Sequence, residues 1–324
     1  MTLADTLRDA LGPDRLSLRD GVLVVSPRSA EDIQTVLRHT RAAGVSVVPE
    51  GGKTGLVGGT LAKEGQVILS LARLDKILLI NATERVAVVE AGVTLEALQT
   101  AAALHALEPG IDLAARGSAT IGGMLATNAG GVMAFRNGVM RHRVLGLEAV
   151  LPDGSLYSDL TRVVKNSAGY DLKHLLIGAE GTLGIITRVV LKLDPIPQAT
   201  ATALIGLPNV SAVLDLIARA LSPQTGHLRA AEALWNSYLR LTAGVQGWQA
   251  AEFPLDTPLA LILHLGGSDE AALREELLRL YAETLDHYPD ATGLIASSAR
   301  QERDIWLLHE NTGAIYQRYP AAPS

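Results

Sequence analysis

Two glycine-rich stretches carry the residue types and spacing from which chemistry can be read. The first is Pro49-Glu50-Gly51-Gly52-Lys53-Thr54-Gly55-Leu56-Val57-Gly58-Gly59, with five glycines in nine residues. Glycine reaches left-handed backbone at no steric cost and lets another body approach the chain without Cβ obstruction. Successive free N–H groups in such a turn form a concavity that suits a phosphate or pyrophosphate. An ordinary tight turn needs one or two glycines, not five. The second stretch, Gly117-Ser118-Ala119-Thr120-Ile121-Gly122-Gly123, runs into Met124-Leu125-Ala126-Thr127-Asn128-Ala129-Gly130-Gly131. This continuation is small and nearly chargeless where a surface loop would be polar. It fits either close packing against a bulky partner or tight helix–strand packing.

Strands and helices must hold these loops in place. Residues 2–11 have helical spacing and stop at Gly12-Pro13, and Val22 to Val25 reads as a strand. Ser29 with Asp32 resembles a capping box for a helix that ends near Gly44. A strand over 45–48 then delivers the first glycine loop. Strands at Val67–Leu71 and Arg85–Glu90 precede a helix from Thr94 to about Ala106. Val144 to Tyr157 forms a hairpin with Asp153-Gly154 at its bend. A further loop, Lys165 to Asp171 with Gly169 inside it, leads to Gly178-Ala179-Glu180-Gly181-Thr182-Leu183-Gly184 and a strand that begins with Ile185 and Ile186. Pro195 and Pro197 mark a domain boundary, giving domains over 1–197 and 198–324. Beyond it, strands near 200–207, 228–234, 259–265 and 294–297 alternate with helices at 209–221 and 270–284. Two β-α-β passes of this size predict an antiparallel sheet with helices on one face, as in ferredoxin-like domains. A last helix is expected from about Arg300 to Tyr316. The chain stops at Ala321-Ala322-Pro323-Ser324 with no finished element.

Composition narrows the chemistry. With 48% hydrophobic and 19% charged residues, the chain buries a substantial core. Its 28 basic and 34 acidic residues give a net charge of −6, which does not indicate nucleic-acid binding. The absence of cysteine excludes disulfides, thiolate metal sites and cysteine nucleophiles. No uninterrupted apolar stretch reaches the roughly 18 residues of a membrane span. The N-terminus carries Asp5 and Asp9, unlike a signal peptide. The expectation is a cytoplasmic protein. Gly52-Lys53-Thr54 mimics the end of a P-loop, but Val47 stands where that pattern needs its first glycine. No G-x-G-x-x-G, G-x-S-x-G or H-E-x-x-H occurs. The eight histidines are scattered, and His264, inside an apolar strand, is the best candidate for a special role.

Taken in order, these stretches resemble the FAD-linked oxidases and dehydrogenases typified by p-cresol methylhydroxylase and vanillyl-alcohol oxidase, and most of all the bacterial D-lactate, glycolate and D-2-hydroxyglutarate dehydrogenases. The 49–59 loop is similar to that family's first pyrophosphate loop, and 117–131 to its second flavin segment. Gly169-Tyr170-Asp171-Leu172 and Gly181-Thr182-Leu183-Gly184-Ile185-Ile186-Thr187 resemble its third and fourth. The resemblance implies an α+β fold, with a two-subdomain FAD-binding domain followed by a partial ferredoxin-like cap. It also implies FAD contacts from Pro49, Glu50, Gly51, Gly52, Lys53, Thr54, Gly55 and Leu56. Further contacts are expected from Gly117, Ser118, Thr120, Ile121, Gly122, Gly123, Thr127, Asn128, Gly130 and Gly131, and from Gly169, Glu180, Gly181, Gly184, Ile185 and Ile186. No histidine is close to Lys53, so noncovalent FAD is expected.

The implied activity is oxidation of a 2-hydroxy acid to the 2-oxo acid. The implied electron acceptor is a quinone, a cytochrome or an electron-transfer flavoprotein, in the cytoplasm or at the inner face of the membrane. Relatives hold a divalent metal and a catalytic histidine in a His-x-His and Gly-Asp-Gly-Asn region, which would lie beyond residue 324. A metal is therefore expected only if such a region is supplied. A homodimer or a complementary subunit is a further expectation. The family's Trp-x-x-Arg-Glu pattern is matched by Trp306-Leu307-Leu308-His309-Glu310, with His309 at the substrate-carboxylate position. A neutral imidazole does not replace a bidentate guanidinium. The alternative expectation is a flavin-binding remnant or subunit, inactive by itself.

Overall fold

The computed structural model describes residues 2–248 and 253–319. These residues form two compact units, one of residues 2–131 with 137–196 and the other of 132–136 with 197–319.

The first unit begins with the helix Leu3–Leu11. Thr2 caps it, its hydroxyl accepting from the Asp5 amide while the Asp5 carboxylate accepts from the Thr2 amide. A four-stranded sheet follows in the order Leu16–Arg19, Val22–Val25, Val67–Ser70, Val47–Glu50. The first pair is antiparallel and the other two are parallel. The helix Ala30–Ala42 crosses between parallel strands. Ser29 accepts from the Asp32 amide, but the Asp32 carboxylate accepts from Arg28 N–H at 2.8 Å, so the expected reciprocal box is only half made. The strand expected at 45–48 forms two residues later, because the ladder pairs Val47 with Val67 and Glu50 with Ser70. Pro49 and Glu50 therefore lie in the strand, and the loop opens at Gly51.

A second sheet has the order Ile77–Asn81, Val86–Glu90, Ile185–Lys192, Val144–Val150, Leu156–Asp159, antiparallel throughout. The Asp153-Gly154 bend forms as expected, with Gly154 at φ 86° and Asp153 accepting from Ser155. Leu95 and Leu98 of the helix Leu95–Ala103, Ile121 and Leu125 of the helix Ile121–Ala126, and Leu147 and Val189 of the sheet are fully buried in one core. Burying apolar side chains of this size contributes roughly 1.5–3 kcal/mol each.

The second unit is built on an antiparallel sheet ordered His227–Trp235, Leu259–Gly267, Ala199–Leu207, Thr292–Ile295. Alternation along the strands splits the core in two. Leu259, Leu261, Leu263 and Leu265 pack with the helices Val210–Ala220 and Glu270–His287. Ala260 and Ile262 face the other way, toward the helices Asn236–Gln246 and Ala299–Glu310. The two crossover helices thus share a face, as the ferredoxin-like reading expects, but the opposite face is covered as well. The last helix, expected over 300–316, is broken. Ala299–Glu310 ends at Asn311, and Gly313–Arg318 is a separate short helix.

Candidate functional site: paired glycine loops and a polar cluster

The two glycine stretches meet backbone to backbone in the first unit. A Cβ on Gly52 would lie 1.8 Å from the Ser118 carbonyl oxygen, and one on Gly51 would lie 2.4 Å from Thr120 Oγ1. Gly122 is pressed onto Ala91, 2.5 Å from its Cβ on the same construction. Beside this junction lies a cavity of about 610 Å³, lined by Glu50, Gly51, Gly52, Lys53, Ser118 and Thr120, and also by Arg19, Ser70, Asp75 and Thr94. Arg19 was not singled out in the sequence.

The loops differ in what their backbones offer. In the second, the amides of Ser118 and Ala119 donate to Ala115 O, Ile121 to Val93 O, Gly122 to Ala91 O, and Gly123 to Thr120 Oγ1. In the first, no amide from Gly51 to Gly55 donates to an acceptor among the described residues. Lys53, Thr54, Gly55 and Leu56 are exposed, and Lys53 sits at φ 57°. A run of open amides beside a cavity fits an anion such as a pyrophosphate. Thr120 lines the cavity opposite them, and the amides of Ile121, Gly122 and Gly123 behind it are already engaged.

The remaining segments dock to different degrees. Thr127 bonds back to Gly123 O, and Asn128, at φ 51°, accepts from the Arg141 amide at 3.0 Å. Gly131 has φ 100° and leaves no room for a Cβ, which would meet Asp112 O at 1.9 Å. Gly130 is half-buried, Gly117 is exposed, and a Cβ on Gly117 would lie 3.2 Å from Glu96 Oε2. Gly178 and Glu180 donate their amides to Leu125 O and Ala126 O, and Gly181 packs on Pro49. The fourth segment is thus joined to the first two. Gly184, Ile185 and Ile186 are buried at the start of the central strand. Gly169 is not brought in: it lies in the exposed run 162–172, where Tyr170 is 96% exposed.

Arg141 ties these pieces together, donating to His174 O at 2.8 Å and Ile177 O at 2.7 Å. Burial holds the His174 imidazole below its ordinary range, so it stays neutral beside this guanidinium. Arg141→Met is expected to loosen the 173–178 turn and speed proteolytic cleavage within 162–178 about tenfold, since cleavage follows local opening. Mass-mapped limited proteolysis checks this, and an unchanged cleavage rate would remove the clamp role.

In the second unit, the ring of Trp306 lies edge-on between His264, at a centroid distance of 5.7 Å, and His309, at 6.3 Å. His264 Nδ1 is hydrogen-bonded to Thr202 Oγ1 at 2.8 Å and lies 3.6 Å from Glu302 Oε1. Burial, and then the Arg229 guanidinium, push the His264 pKa down to about 3, so this imidazole is uncharged at pH 7. His309 Nε2 lies 3.4 Å from Glu232 Oε2, and the Tyr238 hydroxyl donates to His309 O. The histidine at the expected carboxylate position, on the helix Ala299–Glu310, therefore already faces a carboxylate of the strand His227–Trp235. Among the described residues, no group of three or more His, Asp or Glu side chains is arranged to hold a metal, and no helix is long and apolar enough to cross a membrane.

Comparison with known proteins places this architecture. Residues 22–159 match the FAD binding domain family, and residues 196–321 match the C-terminal domain of FAD linked oxidases. The chain thus carries an FAD binding domain followed by a C-terminal domain of the FAD linked oxidase type, and its cofactor is FAD. It is 37% identical over 298 residues to a D-2-hydroxyglutarate dehydrogenase of Xanthomonas citri pv. viticola, covering 91% of this chain and 62% of the relative. It is 33% identical over 314 residues to the mitochondrial D-2-hydroxyglutarate dehydrogenase of Rattus norvegicus, covering 94% and 56%. The chain thus spans less than two thirds of the length of either. The structure of p-cresol methylhydroxylase with substrate bound superposes with a TM-score of 0.75 at 16% identity, over 97% of this chain and 71% of that one. That likeness concerns the fold.

Proposed function

We propose that this chain is the flavin-binding and cap-forming part of an FAD-dependent oxidoreductase that oxidises a 2-hydroxy acid of the lactate, glycolate or 2-hydroxyglutarate class to the 2-oxo acid. The observation that carries the reading is the run of open amides from Gly51 to Gly55, set against Ser118 and Thr120 beside the 610 Å³ cavity. In this reading residues 1–197 hold FAD noncovalently and residues 198–324 form the cap. Bound FAD would supply the two-electron acceptor, taking the hydride of the hydroxyl-bearing carbon at its N5 while a base takes the hydroxyl proton. The first loop binds the pyrophosphate, the second shapes the floor, and the fourth segment, held by Gly181 on Pro49, closes the side. Reoxidation by a quinone, a cytochrome or an electron-transfer flavoprotein completes the cycle. Kinship with two D-2-hydroxyglutarate dehydrogenases supports the substrate class.

A second reading is a flavin-binding subunit that does not turn over alone. The Glu232 contact of His309 favours it, because that histidine is not left to meet a substrate carboxylate. One experiment separates the two. An absorption spectrum is recorded before and after anaerobic addition of D-lactate, glycolate and D-2-hydroxyglutarate. Bleaching of the flavin bands by one acid is the expected result and names the substrate. Bands that persist with all three favour the subunit reading, and a protein that takes up no FAD sinks both.

A further inference from the structure

The last strand residue before the glycine loop is the wrong charge for its position. Glu50 immediately precedes the open amides, lines the same cavity, and is only 3% exposed. A buried carboxylate beside an anion site works against binding: two unit charges 4 Å apart repel by about 1 kcal/mol even in bulk water, and more where solvent is excluded. The structure cancels this charge from a distant part of the chain. Arg19, on the far edge strand of the same sheet, donates from Nη1 to Glu50 Oε2 at 2.5 Å and from Nη2 to Oε1 at 3.1 Å. The fork is bidentate, which matches carboxylate geometry in a way an ammonium cannot. Arg19 is itself 40% exposed at the side chain and lines the cavity, so its positive face is presented to whatever fills that space.

We propose that Arg19 is a positioning residue of the phosphate cradle: it neutralises and fixes Glu50, so that the amides after it receive a phosphate-bearing ligand without like-charge repulsion. The idea rests on the flavin reading above. Its chemical signature is specific, because the effect belongs to the phosphates of the ligand and vanishes for a flavin that lacks them. Lys53 and Asp75 are the other charged groups lining the cavity, one of each sign.

The test is calorimetric titration of the flavin-free protein with ADP, FAD and riboflavin, alongside its melting temperature. The variants are Arg19→Met, Glu50→Gln and the double variant. Arg19→Met is expected to weaken ADP and FAD by about tenfold, the equivalent of roughly 1.4 kcal/mol. The double variant is expected to recover to within about threefold of the starting protein, and riboflavin to bind alike throughout, since coupled groups show such non-additivity. Arg19→Met binding ADP as the starting protein does, or a double variant as weak as Arg19→Met, would overturn the proposal. Should Arg19→Met fail to fold, Glu50→Gln and the double variant are compared instead: near-equal ADP affinity is expected, and a tenfold gap overturns the idea. Failure of the starting protein to bind FAD or ADP at all would sink the flavin reading itself, and so is distinct from these outcomes.

Discussion

Gly52→Val is expected to purify without flavin. A Cβ at residue 52 would stand 1.8 Å from the Ser118 carbonyl oxygen and 2.7 Å from its carbon, and neither backbone atom is a flexible chain end that can step aside. Relief requires the first loop to lift off the second, which opens the cradle from Gly51 to Gly55. Overpacking of this kind costs about 1–3 kcal/mol, so the unit folds but melts lower. A side chain added at Gly55 separates loop architecture from ligand contact. Nothing lies within 4 Å of a Cβ built on Gly55, and its backbone is not left-handed. Gly55→Ala should leave the melting of the flavin-free protein within about 0.5 kcal/mol, as for an unremarkable surface change. If the pyrophosphate takes the space beside it, FAD affinity falls all the same. Flavin-to-protein ratios and melting of the flavin-free forms check both variants. Full flavin loading of Gly52→Val would dissolve the assigned role of the loop pair.

Local signals made much of this legible. Glycine spacing marked both loops, Asp153-Gly154 marked the hairpin bend, and Ser29 marked a helix start, because each of these depends on backbone geometry a few residues wide. What the sequence hid depends on partners far along the chain. The strand bearing Pro49 and Glu50 shifted by two residues to meet Val67–Ser70, a choice made by the ladder rather than by the segment. The helix Asn236–Gln246 escaped notice because it starts after Trp235 with no side-chain cap, and it carries Gly244 inside. Without it the second face of the cap sheet looked open. The break at Asn311 is likewise invisible to hydrophobic spacing, which continues through it.

The candidate site divides along the same line. Its loops were legible as motifs, but the bonding state of their amides was not: Gly51–Gly55 and Gly122–Gly123 look alike in sequence, yet only the first run keeps its donors open. Arg19 was illegible for a related reason. Nothing within 30 residues of it suggests a phosphate site, and its meaning comes from the buried carboxylate it meets. Charge partners across a sheet are set by the fold, whereas turn chemistry is set by the turn.

Acidification from pH 7 to pH 5 is expected to cost the second unit about 2 kcal/mol of stability through His264 alone. In an unfolded chain this imidazole titrates near 6.5. In the folded unit it lies between Thr202 and the edge of Trp306, and burial, followed by the Arg229 guanidinium, holds its pKa down at about 3. The fold therefore favours the neutral ring. That contribution is fully present above pH 6.5 and is lost as pH falls from 6.5 toward 3, where the unfolded chain takes up a proton that the folded unit refuses. Trp235, Trp248 and Trp306, the three tryptophans of the chain, all belong to this unit, so their fluorescence reports its unfolding in urea without interference from the flavin-binding unit. His264→Gln keeps a polar group for Thr202 and removes the titration, so its unfolding midpoint should fall much less between pH 7 and pH 5. An equal fall in both proteins would mean that His264 is solvated and charged. In the function proposed above, a ring that stays neutral can share a hydrogen bond with a hydroxy acid but cannot neutralise its carboxylate.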